Sequence, residues 1–338
     1  MIKNTYFSIG KTSLFFKKDP VYSETKFGPI VLFNKISPTS GNAIANSEHN
    51  AVKKSLSEAV ERRILMQPII KKQMYKSYDL ITGSSKWINW KSLGYGSSVD
   101  STGTASHTDV KLAIIHSLEE LLEKNVLIRI WYKKEAYNIS QFGWKPDYPY
   151  SKNTIFLINT FFLPFVTVVS ACKDKNGYWH CGLSCTLNDV NKAKRASFQE
   201  MKLLWNQDTI YEPYADNYDY VKKHINLFTY YTWSQNQKLH MESLVKNAPV
   251  YHKKIDFGYK TMTLSSIGME LSKKINHLNI VFLADSLLKG TDFSVRCVSD
   301  ELISSVPTKR VCEEKIRNKK LKFVTLKEIR EHSECPIL

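Results

Sequence analysis

The longest apolar stretch of this 338-residue chain is the feature that most restricts its fold. It covers residues 154–171 and reads TIFLINTFFLPFVTVVSA, with Asn159 and Pro164 inside it. A polar residue and a helix breaker interrupt a stretch that is barely long enough to cross a bilayer, and its β-branched and aromatic residues favour strands. The stretch therefore predicts buried strands of a core sheet, and we expect no membrane span.

Three amphipathic helices are predicted around this sheet. Their apolar residues recur at spacings of three and four, which places them on one helical face. The predicted helices cover residues 46–73, 108–132 and 187–205, with possible caps at Asn46 or Ser47, Thr108 or Asp109, and Asn188 or Asp189. Pro68 ends or bends the first of them. Each helix follows a small-residue or glycine-bearing segment, and helices that alternate with strands predict the α+β fold class.

The remaining segments are less regular in sequence. Residues 211–239 are rich in Tyr, Asn, Gln and Asp, which predicts a helical or irregular surface insertion. HLNIVFLAD and FSVRCVSDELI, late in the chain, read as strands. The N-terminus lacks an apolar segment followed by a small-residue cleavage site, so we expect a cytoplasmic protein.

Charge and cysteine content narrow the function classes. With 48 Lys and Arg against 32 Asp and Glu, the net charge of +16 favours anionic partners such as nucleotides, nucleic acid or acidic peptides. The six cysteines form no CxxC pair, and the one cluster, Cys181 and Cys185 beside His180, lacks the second ligand pair of a structural zinc site. We therefore interpret the cysteines as reduced structural thiols.

Carboxylates recur at helical spacing on the first two predicted helices. Glu58, Glu61 and Arg62 stand at i, i+3 and i+4, and Glu120 and Glu123 repeat the i, i+3 pair one helix later. Hard oxygen ligands of this kind suit Mg²⁺, which usually shares its ligand shell with nucleotide phosphates. The alternative is that these residues are solvated surface pairs, which are common on any helix.

The segment around the first carboxylates resembles the first nucleotide motif of the YcaO proteins. That motif is a Ser, three residues, then ExxER, and this chain has KSLSEAVERR. Glu58, Glu61 and Arg62 match ExxER, whereas Lys54 occupies the Ser position with Ser55 beside it.

A second segment resembles the next block of the family, SNGLAxGNTxxEAxxHALxExxERD. Here DSTGTASHTDVKLAIIHSLEELLEKN follows its outline, and Glu120 and Glu123 match the paired acidic positions. Thr108 replaces the family's Asn, and Leu112 replaces a carboxylate that would bind the metal. Asp109 lies one turn earlier and is our candidate for the missing ligand.

Two later segments continue the same order of blocks. GLSCTLNDVNKAKRASFQEMKLLW resembles a strand followed by the family's phosphate-binding helix, with Arg195 at the phosphate-binding Arg and Asn191 where a Glu is usual. SVRCVSDELISSVP resembles the family's late strand. The resemblance implies an N-terminal extension (1–27), a YcaO-like catalytic domain (28–310) and a charged C-terminal tail (311–338).

The resemblance implies one large α+β domain of mixed sheets layered with helices, with a nucleotide site between helices. It also implies ATP and Mg²⁺ as cofactors. The implied residues are Ser55, Glu58, Glu61, Arg62, Glu120, Glu123 and Arg195 for the nucleotide; Glu58, Glu61, Glu120, Glu123 and Asp109 for the metal; and Arg195 and Leu338 for catalysis.

The activity implied by the resemblance is ATP-dependent cyclodehydration of a peptide backbone. Cys, Ser or Thr of a ribosomally made precursor peptide becomes thiazoline or oxazoline; relatives make thioamides or amidines instead. Many azoline-forming members place a C-terminal carboxylate in the active site, and this chain ends HSECPIL. Leu338 would then supply a general base; the alternative is ordinary fraying of the chain end.

The partners implied are the precursor peptide, an E1-like or leader-binding protein, a flavin dehydrogenase and a second copy of the chain. The length resembles that of the standalone cyclodehydratase subunit of a microcin-type synthetase complex. A degenerate scaffold subunit is the alternative, favoured by Lys54, Thr108, Leu112 and Asn191. An RNA-binding protein is the weakest interpretation, because the chain lacks the aromatic and glycine motifs of RNA-binding modules.

Overall fold

The computed structural model describes residues 6–11, 21–32, 35–65, 73–93, 100–146, 153–173, 177, 179–211, 235–251, 262–283 and 293–335. Within these residues seven α-helices, twelve strands and one short 3-10 helix form. The helices are α1 (Glu48–Leu65), α2 (Val110–Lys133), α3 (Val190–Tyr211), α4 (Gln235–Asn247), α5 (Leu264–Leu271), α6 (Lys309–Arg317) and α7 (Leu326–Glu331); the 3-10 helix is Trp90–Leu93.

The strands form three antiparallel sheets in the described part of the chain. The strands are β1 (Tyr6–Lys11), β2 (Val21–Leu32), β3 (Lys35–Ala45), β4 (Met74–Asp79), β5 (Ser85–Asn89), β6 (Thr104–His107), β7 (Tyr137–Asn138), β8 (Ile155–Asn159), β9 (Phe165–Lys173), β10 (Trp179–Leu187), β11 (Asn279–Leu283) and β12 (Phe293–Val298). Their orders are β1-β2-β3, β10-β9-β8-β7 and β5-β4-β11-β12-β6. The predicted α+β class is confirmed, as are the two late strands, β11 and β12.

The chain divides into two compact units. Unit 1 consists of Met1–Lys124, Phe162–Pro164 and Tyr259–Val306, and unit 2 of the remaining segments, Asn125–Phe161, Phe165–Gly258 and Pro307–Leu338. The three-stranded and five-stranded sheets belong to unit 1, and the four-stranded sheet belongs to unit 2.

In unit 1, helix α1 lies against strands of both sheets. Gly41 of β3 allows the closest approach: a Cβ at this position would lie 2.0 Å from the Ser55 carbonyl oxygen of α1. The other side of α1 buries apolar side chains against the five-stranded sheet. This cluster consists of Ala59, Val60, Ile64, Tyr75, Leu93, Val281 and Leu283. These contacts fix the position of the Glu58–Arg62 segment of α1.

Strand β8 and most of β9, both in unit 2, come from the apolar stretch of residues 154–171, and a turn that contains Pro164 joins the two strands. Every residue of β9 except Lys173 is buried. Helix α3 lies close to β10 at Gly182, where a Cβ would lie 2.1 Å from the Ser197 carbonyl oxygen. The prediction of buried core strands is confirmed, and no helix of the described residues is long and apolar enough to span a membrane.

All three predicted helices form, and in each case the structure shows which of the two candidate residues caps the helix. Ser47, Asp109 and Asp189 precede α1, α2 and α3, and their side-chain oxygens accept the N–H groups of Asn50, Leu112 and Lys192. A small polar residue directly before an apolar-periodic segment was therefore the informative signal.

Two helix ends differ from the prediction. Helix α1 ends at Leu65 and Gln73 is not helical, so the predicted end at residue 73 is wrong; Pro68 disfavours helical geometry in the residue before it. Helix α3 continues to Tyr211 rather than stopping at residue 205, since its last turns contain polar residues that give no apolar signal. In the predicted insertion, residues 235–239 belong to α4, and residues 212–234 lie outside the described residues.

Candidate functional site

The site is built at strand β6, which ends the five-stranded sheet of unit 1. Two carboxylates from different helices accept backbone N–H groups of this strand. The Glu61 Oε1 atom of α1 lies 3.0 Å from the Ser106 nitrogen, and the Glu120 Oε2 atom of α2 lies 3.0 Å from the Thr104 nitrogen. These donors are two residues apart, about 7 Å along a strand. The strand therefore brings together carboxylates that are 59 positions apart in sequence.

Burial raises the pKa of both carboxyl groups. Burial raises the pKa of Glu61 to about 8; the Ser106 N–H lowers it, and the negative charge of Glu58 adds to the rise. Burial also raises the pKa of Glu120 well above its usual range, and the charge of Glu61 contributes further. The charge of Glu61 raises the pKa of Glu120, so the two carboxylates are electrostatic neighbours.

Glu58 and Arg62 hold the start of α1's functional segment against β3. The Glu58 carboxylate accepts the Asn42 N–H at 2.5 Å and a guanidinium N–H of Arg62 at 2.5 Å, and Arg62 also donates to the Ser40 carbonyl at 2.6 Å. Burial raises the pKa of Glu58, whereas Arg62 and the Asn42 N–H lower it. The two side chains remain about one-third exposed, so they can also reach a ligand.

Glu123 lies one turn after Glu120 on α2. Its Oε1 atom is 3.2 Å from the Lys124 ammonium, and its side chain is 16% exposed. The negative charge of Glu123 raises the pKa of Glu120, whereas Lys124 lowers it. The four carboxylates predicted from spacing thus lie in unit 1, and electrostatic coupling links Glu58 to Glu61, Glu61 to Glu120 and Glu120 to Glu123.

Three further predicted residues have different surroundings. Asp109 is exposed and its Oδ1 atom caps α2 at the Leu112 N–H, 3.0 Å away. Ser55 is fully buried, with its hydroxyl 2.9 Å from that of Ser23 and 2.8 Å from that of Thr25. Arg195 is exposed on α3, in unit 2. Leu338 lies outside the described residues. The roles assigned to these residues stay predictions.

The Glu61 and Glu120 carboxylates suit Mg²⁺ better than a metal ion whose ligands are all protein side chains. Among the described side chains, no group of three or more His, Cys, Asp or Glu residues is arranged to hold a metal ion. Mg²⁺ commonly binds one or two protein carboxylates and completes its shell with substrate phosphates and water. A pair of partly buried carboxylates, in which the charge of Glu61 raises the pKa of Glu120, fits that requirement, since a dication would offset this repulsion.

Asp100 is a contributor that the sequence did not reveal. Its charge raises the pKa of Glu120, and its carboxylate accepts the N–H groups of Thr102 at 2.7 Å and Val306 at 2.5 Å. Asp100 lies in a loop with no helical periodicity, so spacing gave no signal; its position directly before the small-residue segment STGT is the one available hint.

Glu119 is a further carboxylate on α2, next to the predicted pair of Glu120 and Glu123. It directly precedes Glu120, is 8% exposed, and lies 2.7 Å from the His116 ring. The i, i+3 rule selected Glu120 and Glu123 over Glu119. In the structure the Glu119 carboxylate contacts the His116 ring, whereas the Glu120 carboxylate accepts the Thr104 N–H of β6.

Solved structures resemble this chain over most of its length. The E. coli microcin synthetase McbBCD complex with pro-MccB17 bound matches with a TM-score of 0.61 and 14% identity, covering 89% of this chain and 91% of that chain. YcaO from Methanopyrus kandleri, bound with AMPPCP and Mg²⁺, matches with a TM-score of 0.60 and 12% identity, covering 91% and 87%. A heterocyclase in complex with substrate and cofactor matches with a TM-score of 0.58 and 12% identity, covering 94% and 54%.

The likeness lies in the fold rather than in the sequence. No protein-family model matches the chain, and no curated protein matches it significantly. The chain nevertheless has the YcaO fold, as the order of its sequence blocks predicted.

Proposed function

We propose that this chain, which has the YcaO fold, is an ATP-dependent cyclodehydratase of peptide backbones. The observation that carries the proposal is the pair of partly buried carboxylates, Glu61 and Glu120, brought from two helices to neighbouring N–H groups of one strand. Such a pair opposes folding when ionised, so its presence calls for a cationic ligand. YcaO from Methanopyrus kandleri, which has a similar fold, is bound with AMPPCP and Mg²⁺, and this supports ATP and Mg²⁺ as that ligand.

Each of the four carboxylates predicted from helical spacing has a distinct task in the proposed site. Glu61 and Glu120 would bind Mg²⁺, which neutralises charge on the phosphates during transfer. Glu123 would bind through the outer part of the same site, because its charge couples to Glu120. Glu58 positions Arg62, whose guanidinium would contact phosphate or ribose oxygen. Arg195 is proposed to bind phosphate, Ser55 to support the nucleotide site and Asp109 to supply a further metal ligand.

The proposed reaction removes one amide oxygen from the substrate. A Cys thiol or a Ser or Thr hydroxyl of the peptide loses its proton and attacks the preceding carbonyl carbon, which forms a hemiorthoamide. Its oxygen attacks the γ-phosphorus of ATP, and ADP leaves. Loss of the amide N–H proton and departure of phosphate then give the azoline. Phosphorylation is needed because the unmodified oxygen is a poor leaving group.

Structures of similar fold support an activity that depends on partner proteins. The McbBCD structure is a synthetase complex, and one form of it has pro-MccB17 bound. On that basis we extend the proposal to a precursor peptide substrate and to a partner protein of the E1-like or leader-binding type, with a flavin dehydrogenase and a second copy as further partners. Azoline is the proposed product; thioamide and amidine are the alternatives.

A scaffold function is the second candidate, and the start of α2 favours it. Leu112 stands where the family motif has a carboxylate, and it is 39% exposed. An exposed leucine contributes no ligand for a metal or a phosphate. A scaffold subunit would keep the fold and bind partners without turning over ATP.

Transfer of a heavy-oxygen label tests the reaction. A precursor peptide carrying the label in the amide oxygen before Cys or Ser is incubated with the chain, its partner proteins, ATP and Mg²⁺. The proposal predicts that the peptide loses the label as one ring forms and that the label appears in inorganic phosphate. Ring formation with the label retained outside phosphate contradicts phosphorylation of the amide oxygen. Ring formation without ATP would contradict an ATP-dependent reaction.

A further inference from the structure

One face of the five-stranded sheet in unit 1 carries a set of exposed apolar side chains, which we call the aromatic strip. Met74 and Tyr78 of β4 are 49% and 43% exposed, Trp87 of β5 is 66% exposed, and Phe282 of β11 is 40% exposed. Tyr78 lies opposite Ile280, and Trp87 lies opposite Lys76, so strand alternation puts all four on one face. Exposed aromatic residues at this density mark binding surfaces.

The strip continues to the sheet edge formed by β5. In the described part of the chain, no strand pairs with the outer side of β5. The Asp79 N–H donates to the Ser84 carbonyl at 2.8 Å, which makes this a hydrogen-bonded pair of the β4–β5 ladder. Hydrogen-bonded and non-bonded pairs alternate in antiparallel ladders, so the backbone groups of Ser85, Trp87 and Asn89 point outward. Such an edge can add one more strand.

The charge around the edge has one sign. Lys76, Lys86 and Lys91 are exposed on β4, β5 and the 3-10 helix. Along these three elements the one carboxylate is Asp79, which is 5% exposed and bound to the His277 ring at 2.7 Å. An acidic ligand would meet no exposed carboxylate of these elements.

We propose that β5 binds an extended, acidic segment of the precursor peptide as an additional antiparallel or parallel strand. Side chains of a strand alternate between faces, so apolar residues of the segment would extend the aromatic strip while acidic residues would lie on the face of Lys86. Four exposed apolar side chains are few beside the 20 to 30 residues a stable protein interface typically uses on each side. A single peptide strand matches the available surface.

This inference rests on the proposed function for the source of the peptide, but its binding site is separate from Glu61 and Glu120. A cyclodehydratase must hold its substrate while individual residues react. A strand bound through its backbone leaves the choice of reacting side chains to another part of the molecule. The edge would therefore bind a segment that is not itself modified.

The test uses a short fluorescein-labelled peptide of alternating Glu and Val residues, titrated with the full-length chain and followed by fluorescence anisotropy. Binding that weakens as salt is added is expected. The same peptide with N-methyl groups on alternate residues cannot form the strand hydrogen bonds on one edge, so at least one of the two methylation patterns should bind about tenfold or more weakly. A peptide with Lys in place of Glu should not bind.

Surface variants locate the site without disturbing the core. Trp87→Ala should weaken binding about tenfold, as loss of an aromatic contact does. Ser85→Pro removes one outward N–H at a position where an edge strand tolerates proline, and should weaken binding to a similar degree. Met269→Ala, a 63% exposed residue on α5 outside the strip, is the matched control and should bind like the wild type.

Several results would overturn the inference. These are equal binding by wild type and Trp87→Ala, equal binding of the unmethylated and both methylated peptides, or a dimer in sedimentation experiments that Trp87→Ala dissociates, which would assign the strip to a second copy. Mg²⁺-nucleotide binding is measured on the same samples. A chain that binds nucleotide but not peptide contradicts this inference alone, and one that binds peptide but not nucleotide contradicts the proposed function alone.

Discussion

Two ionic groups of unit 1 show how differently a fold can treat charge. Arg296 is fully buried and donates to the carbonyl oxygens of Leu93, Asp100 and Ser304 and to the Thr104 hydroxyl, at 2.7 to 3.2 Å. Glu61 and Glu120 are partly buried, and the charge of Glu61 raises the pKa of Glu120. The guanidinium has the partners that a buried charge requires, whereas the carboxylates face a like charge.

The difference separates a structural charge from a functional one. Arg296 ties the loop of Asp100 and strand β6 to the 3-10 helix and to residue Ser304, and so fixes the strand that presents two N–H groups to the carboxylates. The two carboxylates each accept an N–H of β6, but burial still raises both pKa values, so they disfavour the folded chain when ionised. Strained electrostatics of this kind are typical of ligand sites, where the ligand supplies the missing charge.

The largest expected effect is the loss of Arg296. Arg296→Met leaves buried carbonyl oxygens without their donors, and we expect the free energy of unfolding to fall by about 3 to 5 kcal/mol. Urea denaturation measures this change. Arg317→Met, at an exposed residue of α6, is the matched control and should change stability by no more than about 0.5 kcal/mol. A loss below about 1 kcal/mol for Arg296→Met would remove the structural half of the comparison.

The second effect is a pH dependence that belongs to Glu61. Folding raises the pKa of this carboxyl from 4.5 to about 8, so its stabilising contribution is complete below about pH 4.5 and is lost as the pH rises through about 8. Glu61→Gln removes this dependence. Relative to the wild type, the variant should gain stability between about pH 5 and pH 9, by a few kcal/mol, in urea unfolding without metal.

A constant stability difference between the wild type and Glu61→Gln across that pH range would show that Glu61 is not under electrostatic strain. Addition of Mg²⁺ and a nucleotide should reverse the order at about pH 8, because the wild type gains binding energy that the variant lacks. Glu313→Gln on α6 provides a control for loss of a carboxylate at the surface, since the Glu313 side chain is 23% exposed and pairs with Arg317.

The smallest expected effect concerns the ion pair of Glu58 and Arg62, which adjoins Glu61 on α1. Arg62→Lys keeps the positive charge near Glu58 but cannot donate to Glu58 and to the Ser40 carbonyl in the same planar geometry. We expect a loss of about 1 kcal/mol or less, since both side chains are partly solvated. Thermal unfolding at two salt concentrations measures it, and a loss larger than that of Arg296→Met would invert the comparison.

Much of this arrangement was predictable because it depends on local pattern. Helical spacing identified Glu58, Glu61 and Glu120, and small polar residues marked the starts of α1, α2 and α3. Contacts between distant segments gave no periodic signal. Asp100 and Arg296 are of this type: their roles depend on backbone groups from distant segments, which only the folded chain brings together.

Calorimetric titration of the chain with the ATP analogue AMPPCP, with and without Mg²⁺, is the most direct test that Glu61 and Glu120 form a metal and nucleotide site. Wild type, Glu61→Gln and Glu120→Gln are compared with Glu313→Gln as the control. We expect the wild type and the control to bind AMPPCP only with Mg²⁺, and each site variant to lose affinity by about a hundredfold or more. Binding that is independent of Mg²⁺, or is unchanged by either substitution, would contradict the assignment of these carboxylates to a metal and nucleotide site.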